Sequence, residues 1–298
     1  MKIVIWIQNI SGNKDLENLN RAANILAQLY GNIEILGAIE PQGIIINEIK
    51  SISKDDLKNL EFDLILVAGQ NANIPSVLKE IENFGIDADK IILDRTVCVP
   101  NFTLEKYNRL RRSQLSILSM NCFAGLLYHR FGLPFLTPTI NMFTTDEGFL
   151  KFLNDPVKNI KATLKLLRME RNEALKIDYP VYKIGATEWN MNHYGNINIA
   201  KQKWIERGNK INWFNLLVTM YTENPEILAE FDKLPFSKKV CLVPFKSDLD
   251  SAYCIDSTKY VGGNEFWRIV NGVGIGSVSE FDMWDMLIYG KKTPIIKQ

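Results

Sequence analysis

Short apolar runs alternate with amphipathic segments through roughly the first hundred residues of the chain. The runs are rich in β-branched residues and short enough to be strands of a parallel sheet. The segments between them repeat apolar residues every three or four positions, which predicts crossover helices of βαβ units. The predicted strands are Lys2–Ile7, Ile33–Ile39, Leu64–Ala68 and Lys90–Leu93, and the predicted helices are Asp15–Tyr30 and Pro75–Phe84.

The rest of the chain continues this alternation less regularly, and from Asp256 the pattern fades. A single core rarely grows beyond about 250–300 residues. The 298 residues therefore predict an α/β protein with a small Rossmann-like parallel-sheet domain over 1–112 and a second α/β domain over 113–298. The predicted strands are Leu115–Ser119, Tyr179–Ile184, Leu216–Thr219 and Val240–Val243, and the predicted helices start at Phe123 and cover Glu147–Leu153, Val157–Glu173 and Ile197–Arg207.

The loop after the first strand decides whether the first domain should bind a dinucleotide. Such binding needs several glycines there, so that backbone N–H groups can approach a pyrophosphate. This chain has Gln8-Asn9-Ile10-Ser11-Gly12, with one glycine. Glu40, at the end of the second strand, is placed like a ribose-binding acid, but without the glycines it is better explained as a solvated strand end. The pattern does not favour a bound NAD or a dehydrogenase.

Composition excludes several classes of function. Lys and Arg number 35 against 34 Asp and Glu, so no net field attracts a nucleic acid. No apolar run approaches the roughly 20 residues of a membrane span, and the first strand is too short for a secretory signal. The four cysteines are far apart and no Cys and His are closely spaced, which predicts reduced thiols, a cytoplasmic location and no metal site.

Two histidines limit the acid–base chemistry available near neutral pH. His129 follows Cys122 by seven residues, about two helical turns, which is too far for a hydrogen bond between them. Cys122 and His193 could meet through the fold as nucleophile and base. The alternative is that Cys122 is a small buried hydrophobe at the end of a core strand.

A polar and aromatic stretch surrounds the second histidine, over residues 187–195. Rings and amides of this kind are typical of carbohydrate and nucleotide sites, although Asn-rich loops also arise because Asn tolerates left-handed turns. Further along, Lys203 and Arg207 stand four residues apart on a predicted helix. Two such cations repel unless an anion lies between them or each has its own partner. Trp204, beside them, belongs either to the core or to a ligand-binding surface.

Several longer motifs lie between residues 119 and 215. They are Ser119-x-Asn121-Cys122-x-x-Gly125, Gly132-Leu133-Pro134-Phe135-x-x-Pro138-Thr139, Tyr179-Pro180, His193-Tyr194, Trp204-x-x-Arg207 and Ile211-Asn212-Trp213-x-Asn215. Together they resemble a bacterial domain family of unknown function whose members often carry the description exopolysaccharide biosynthesis protein. The resemblance covers about Ser113 to Lys246, and the N-terminal segment is similar to Rossmann-like domains associated with nucleotide sugars.

The resemblance implies a three-layer α/β fold and a role in polysaccharide assembly, without an established reaction. This chain departs from the family at Met120, where members often have Asn, and at Ala124, where they often have Gly. Both departures bear on how closely a ligand can approach the backbone at that turn.

The leading hypothesis is an enzyme that transfers or modifies a group on a sugar or sugar nucleotide in cell-surface polysaccharide biosynthesis. His193 would act as general acid or base, and Cys122 is the second catalytic candidate. The asparagines would orient hydroxyls, an aromatic ring would stack on the sugar, and two cations would hold an anionic group. The competing hypothesis is a non-catalytic carbohydrate- or nucleotide-binding or scaffold protein. The predicted substrate-binding residues are Asn121, Asn141, Tyr194, Lys203, Trp204, Arg207, Asn212 and Asn215.

Overall fold

A computed structural model confirms the α/β class; it describes residues 1–8, 13–39, 49–69, 74–259, 265–276 and 280–293. Residues 9–12 and Glu40, which bear on the dinucleotide question, lie outside these ranges. The strands are β1 (Lys2–Ile7), β2 (Glu34–Ile39), β3 (Leu64–Ala68), β4 (Ile91–Leu93), β5 (Ser116–Ser119), β6 (Leu164–Asn172), β7 (Ile177–Ile184), β8 (Thr187–Asn190), β9 (Leu216–Tyr221), β10 (Lys239–Val243) and β11 (Ala252–Cys254).

The helices that connect these strands are amphipathic, and several carry a side-chain cap. Thr145, for example, accepts a hydrogen bond from the Gly148 N–H at the start of one helix. No described helix has the length and apolar character that crossing a bilayer requires. The helices are α1 (Asn13–Tyr30), α2 (Ile74–Asn83), α3 (Asp94–Val97), α4 (Leu104–Arg112), α5 (Phe123–Phe131), α6 (Asp146–Leu153), α7 (Pro156–Lys161), α8 (Ile197–Gly208), α9 (Pro225–Asp232), α10 (Phe266–Ile275) and α11 (Met283–Tyr289).

The chain divides into two compact units. The first comprises Met1–Asn108 and His129–Leu133, and the second comprises Arg109–Tyr128 and Pro134–Gln298. In the first unit, four parallel strands pair in the order β2-β1-β3-β4. All five residues of β3 are buried, as expected for a parallel strand that is covered on both faces.

The backbone at the carboxyl ends of β1 and β3 leaves no room for a side chain at Gly69. Gly69 has φ +132°, and a Cβ there would lie 1.8 Å from the Gln8 carbonyl oxygen. We expect Gly69→Ala to lower the free energy of unfolding by roughly 2–6 kcal/mol, since backbone strain and overpacking each cost about 1–3 kcal/mol. Urea denaturation measures this loss.

Gly31→Ala is the matched control for this substitution. Gly31 also has a positive φ, +82°, but nothing lies within 4 Å of its would-be Cβ. Only the left-handed backbone is then penalised, at about 1–2 kcal/mol. Equal losses for the two variants would show that the close approach at Gln8 is unimportant.

The described residues of the second unit form two sheets. Four parallel strands pair in the order β11-β10-β9-β5. An antiparallel sheet of order β6-β7-β8 is inserted in the chain between β5 and β9, which are neighbours in the parallel sheet. The polar stretch of residues 187–195 therefore begins in the antiparallel sheet, whereas Cys122 follows a strand of the parallel sheet.

The predicted helix Val157–Glu173 is wrong. Helix α7 ends at Lys161, and Leu164–Asn172 is a strand paired along its length with β7, with one irregularity between Leu166 and Arg168. Residues of this strand are mostly good helix formers, so local propensity favours a helix. The long-range pairing with β7 outweighs that preference.

The tail after Asp256 is more regular than expected, because it contains α10 and α11. Gly272 and Gly274 lie inside α10, and Gly276 ends the helix with φ +78°. A Cβ on Gly274 would lie 3.0 Å from Leu126 Cβ on α5. The small residue thus allows α10 to pack closely against α5.

Aromatic rings form the centre of the second unit's core. Trp189 and Trp204 lie 5.6 Å apart between ring centroids, and Phe152 contacts both, at 5.2 and 6.3 Å. All three side chains are fully buried. This cluster joins the antiparallel sheet, α6 and α8 into one core.

Candidate functional site

Cys122 lies in the turn between β5 and α5. Its carbonyl accepts the Leu126 N–H at 3.0 Å, so it is the residue that caps the helix. The Asn121 side chain holds the turn, because its Oδ1 accepts from Ser119 Oγ at 3.0 Å and from the Phe123 N–H at 3.1 Å. The thiol therefore stands at the carboxyl edge of a parallel sheet and at the positive end of a helix.

The fold brings His193 to this thiol. Cys122 Sγ lies 3.6 Å from His193 Nε2. Two backbone hydrogen bonds, of 2.9 and 2.8 Å, join Phe143 to Asn190 at the end of β8. Thr144, which follows Phe143, donates its N–H to the Met120 carbonyl at 2.9 Å. The segment Phe143–Thr144 therefore links the turn that carries Cys122 to the strand that precedes His193.

The electrostatics of the pair define its resting state. Burial raises the pKa of the Cys122 thiol to about 11. Protein atoms that displace water from part of the His193 ring lower the pKa of the imidazole. At neutral pH the thiol is therefore protonated and the imidazole neutral. In the tautomer with hydrogen on Nδ1, Nε2 can accept the thiol proton.

Tyr194 and Arg207 form a second polar element beside the pair. The Tyr194 hydroxyl donates to the Ile140 carbonyl at 2.9 Å and accepts from Arg207 Nη1 at 2.6 Å. Burial raises the pKa of Tyr194, while the nearby Arg207 charge opposes that rise. Arg207 also covers the Phe135 ring, and no carboxylate of the described residues forms an ion pair with it. Its guanidinium can therefore take an anionic group.

Asn141 rests on the first turn of α5. It has a left-handed backbone, with φ 57°, and its Oδ1 lies 2.5 Å from where a Cβ on Gly125 would stand. Any larger residue than glycine would displace the amide. Four of the predicted binding residues thus lie around the cysteine turn or its helix: Asn121, Asn141, Tyr194 and Arg207.

The prediction that Trp204 stacks on a ligand is wrong. Its side chain is 0% exposed, and its indole N–H donates to the Ile160 carbonyl at 3.0 Å. The prediction that Lys203 and Arg207 together hold one anion is also not supported, because Lys203 pairs with a carboxylate of its own helix. Lys203 Nζ lies 3.1 Å from Glu206 Oε2, and Arg207 binds Tyr194.

Asn212 and Asn215 hold the opposite edge of the sheet, which corrects their predicted role. Their side-chain amides donate to the carbonyls of Gln114 and Ser113, at 3.1 and 2.8 Å. Lys238 Nζ donates to Asn215 Oδ1 at 2.7 Å. Both asparagines precede β9 and bond to residues that precede the parallel strand β5. Cys122 follows β5, so these amides lie away from it and act as structural ties.

Sequence reasoning missed the polar residues that follow β9. Thr222, Glu223 and Asn224 line a cleft of about 610 Å³ together with Met120 of the cysteine turn. Residues that follow neighbouring parallel strands meet at one edge of the sheet, so the residues after β9 could have been placed beside those after β5. That step needed the pairing of β5 with β9, which the sequence did not reveal.

The other histidine and the possible metal ligands do not add to the site around Cys122. His129 belongs to the first unit, where both its ring nitrogens lie 3.3 Å from Arg95 Nη1. All four cysteines are free thiols. Within the described ranges, no group of three or more His, Cys, Asp and Glu side chains is arranged to hold a metal ion.

Comparison with known proteins places the chain in a family. A family model described as C2185-like, N-terminal, matches residues 1–92. An uncharacterised protein of Haemophilus influenzae is 27% identical over 198 residues, covering 64% of this chain and 84% of that protein. A second family model matches residues 94–287, more than half of the chain. The chain therefore belongs to the family described as Domain of unknown function (DUF1919).

Proposed function

We propose that this protein is an enzyme that transfers a group to a sugar or sugar nucleotide during cell-surface polysaccharide biosynthesis. Acyl transfer through a thioester on Cys122 is the group transfer that the site supports best. The observation that carries the proposal is the 3.6 Å separation of Cys122 Sγ from His193 Nε2. A thiol nucleophile needs a base within hydrogen-bond reach, and this pair provides it.

In the first half-reaction, the Cys122 sulfur attacks the carbonyl carbon of an acyl donor while His193 Nε2 takes the thiol proton. The tetrahedral intermediate collapses, the bond to the donor's leaving group breaks, and the imidazolium returns the proton to that group. In the second half, His193 removes the proton of an acceptor hydroxyl, which attacks the thioester carbonyl. The C–S bond then breaks, and the thiolate regains a proton from His193.

The surroundings of the pair suit such a reaction. Of the N–H groups in the first turn of α5, which lack intrahelical partners, that of Phe123 is taken by Asn121 Oδ1. The next ones would be available to donate to an oxyanion formed beside Cys122. Arg207, held by Tyr194, would bind an anionic part of the donor. Asn121 and Asn141 would act by shaping the turn and its helix, since their amides contact the backbone around Cys122.

The sugar substrate and the cellular role rest on the resemblance to exopolysaccharide proteins. The parallel order β2-β1-β3-β4 supports a Rossmann-like first unit, and the resemblance associates such domains with nucleotide sugars. A reactive thiol must stay reduced to act as a nucleophile, and all four cysteines are free. The need for a reduced thiol and the absence of a disulfide among these four cysteines favour a cytoplasmic enzyme.

A non-catalytic sugar- or nucleotide-binding protein is the second candidate. The raised pKa of Cys122, about 11, favours it, because activated cysteines usually have lowered pKa values. The two functions differ in whether Cys122 becomes acylated.

Acylation by p-nitrophenyl acetate tests the proposal without knowledge of the natural donor. We expect S-acetylation of Cys122, located by peptide mass spectrometry, with a rate that is constant near neutral pH and falls on acidification. The fall should be centred below pH 6.5, because the lowered pKa of His193 keeps its basic form present to lower pH than in a free imidazole. Protonation then removes the acceptor for the thiol proton.

A contrary profile would rise steadily with pH toward the thiol pKa of about 11. Such a profile would mean that only free thiolate reacts and that His193 takes no part. Absence of acetylation at Cys122, with the exposed Cys254 acetylated, would favour the non-catalytic candidate.

A further inference from the structure

Two clefts adjoin over the first turn of α6 in the second unit. Their volumes are about 610 and 470 Å³, and each alone falls within the range of about 300–1,000 Å³ that holds a small ligand. They share Thr144, Thr145 and Glu147. Together they form an extended depression, here called the α6 groove, that one small molecule would not fill. Its other lining residues are Met120, Phe143, Asp146, Gly148, Lys151, Arg168, Ala186, Thr187, Glu188, Asn190, Tyr221, Thr222, Glu223 and Asn224.

Hydrogen-bond acceptors dominate the larger cleft. Asp146, Glu147 and Glu223 contribute carboxylates, which only accept hydrogen bonds when ionised. Asp146 is fixed by the Thr222 hydroxyl, which donates to Oδ2 at 2.7 Å. A ligand that donates hydrogen bonds fits this lining, and these carboxylates disfavour phosphate or carboxylate groups. In the smaller cleft, Lys151 and Arg168 are balanced by Glu147 and Glu188, so the groove as a whole stays acidic.

Tyr221 adds a donor to the same wall. Burial, reinforced by the negative charges of Asp146, Glu223 and Glu265, raises the pKa of its hydroxyl to about 12. The phenol therefore stays protonated at all physiological pH values and can bind an oxygen of the ligand. Donor and acceptor together match a hydroxyl, which both donates and accepts.

One apolar face completes the groove. Phe143 is 37% exposed, and its backbone is held by the paired hydrogen bonds to Asn190. A rigid exposed ring offers a face for the C–H side of a sugar ring. Ala186 is the aliphatic residue of the smaller cleft, and Met120 and Phe143 are the apolar ones of the larger cleft, so most of the groove is polar and offers few sites for apolar peptide side chains.

The groove lies close to the Cys122–His193 pair. Consecutive Cα atoms are 3.8 Å apart, so the Cα of Met120 lies within about 7.6 Å of that of Cys122. By the same rule, the Cα of Asn190 lies within about 11.4 Å of that of His193. A chain bound along the groove would thus bring one of its hydroxyls near the thioester.

We propose that the α6 groove binds a non-anionic oligosaccharide, which is the acceptor of the group carried by Cys122. The role as acceptor rests on the proposed function, whereas binding of the oligosaccharide does not. The further substrate class is therefore a chain of sugars rather than a single sugar nucleotide.

Binding to a glycan array tests this inference, using the full-length Cys122→Ala protein so that no reaction is needed. We expect retention on neutral or amino-sugar oligosaccharides, stronger for longer chains, and little retention on uronic-acid or phosphorylated glycans. Retention only on anionic glycans, no dependence on chain length, or no retention at all would overturn the proposal.

Titration calorimetry with the best-retained oligosaccharide locates the site. Phe143→Ala should weaken binding about threefold to tenfold, as expected for loss of one ring contact. Phe214→Ala, at a phenylalanine that is 103% exposed and does not line the groove, is the matched control and should bind like the parent. Equal binding by all three proteins would place the ligand elsewhere.

The two proposals fail separately. Oligosaccharide binding without acetylation of Cys122 would support the groove as a binding site and contradict the transfer reaction. Acetylation without binding would support the thioester chemistry and contradict the acceptor site.

Discussion

Cys122→Ala is expected to lower the turnover of p-nitrophenyl acetate on the order of 10⁴-fold or more, with the folded state intact. The alanine lacks the sulfur that forms the covalent intermediate, and loss of a nucleophile from enzymes of this chemistry costs about 10⁴–10⁶-fold in rate. Release of p-nitrophenol, followed by absorbance, measures the effect. Because Cys122 is half-buried and its thiol bonds only to His193 among the described residues, truncation should cost little stability.

The turnover of His193→Gln should lie between those of the parent and Cys122→Ala. We expect a loss of about 10²–10⁴-fold, the usual contribution of a general base. Cys254→Ser is the matched control, since Cys254 is a free and exposed thiol outside the site. Parent-like turnover in Cys122→Ala, combined with loss of turnover in Cys254→Ser, would show that Cys254 is the reactive thiol and would contradict the proposed mechanism.

Trp204→Ala is expected to lower the free energy of unfolding by about 3–5 kcal/mol, the usual cost of removing a fully buried aromatic side chain. The substitution empties the centre of the cluster with Trp189 and Phe152 and removes the indole hydrogen bond to Ile160. For a domain of this size, the thermal midpoint should fall by roughly 6–20 °C. Calorimetry or circular dichroism measures the shift.

Trp213→Ala is the control for this experiment, because Trp213 is 38% exposed. It should change the midpoint by much less. A Trp204→Ala protein of normal stability that had lost oligosaccharide binding would instead support the original prediction of a ligand-stacking ring.

The regular parallel strands were predictable because their signal is local. β1 and β3 have the predicted bounds, since each is a short apolar run between polar segments. β6 was not predictable in this way. Its residues prefer a helix in isolation, and the strand exists because β7, later in the chain, supplies its hydrogen-bond partners.

The candidate site shows the same division between local and distant information. The turn that places Cys122 between a strand and a helix follows from the adjacent sequence. Its contact with His193 depends on how two sheets pack, which no spacing along the chain encodes. Trp204 was ambiguous for a related reason, because a buried tryptophan and a ligand-binding one have the same local pattern.

The insertion of the antiparallel sheet between β5 and β9 has a consequence for synthesis of the chain. Translation at about 5–20 residues per second produces His193 roughly 4–14 s after Cys122, since 71 positions separate them. During that interval the thiol has an ordinary pKa near 8.5 and lacks its base. Folding then raises the pKa to about 11, so the thiolate, which is the form that oxidants attack, is rarer in the folded protein than in the nascent chain.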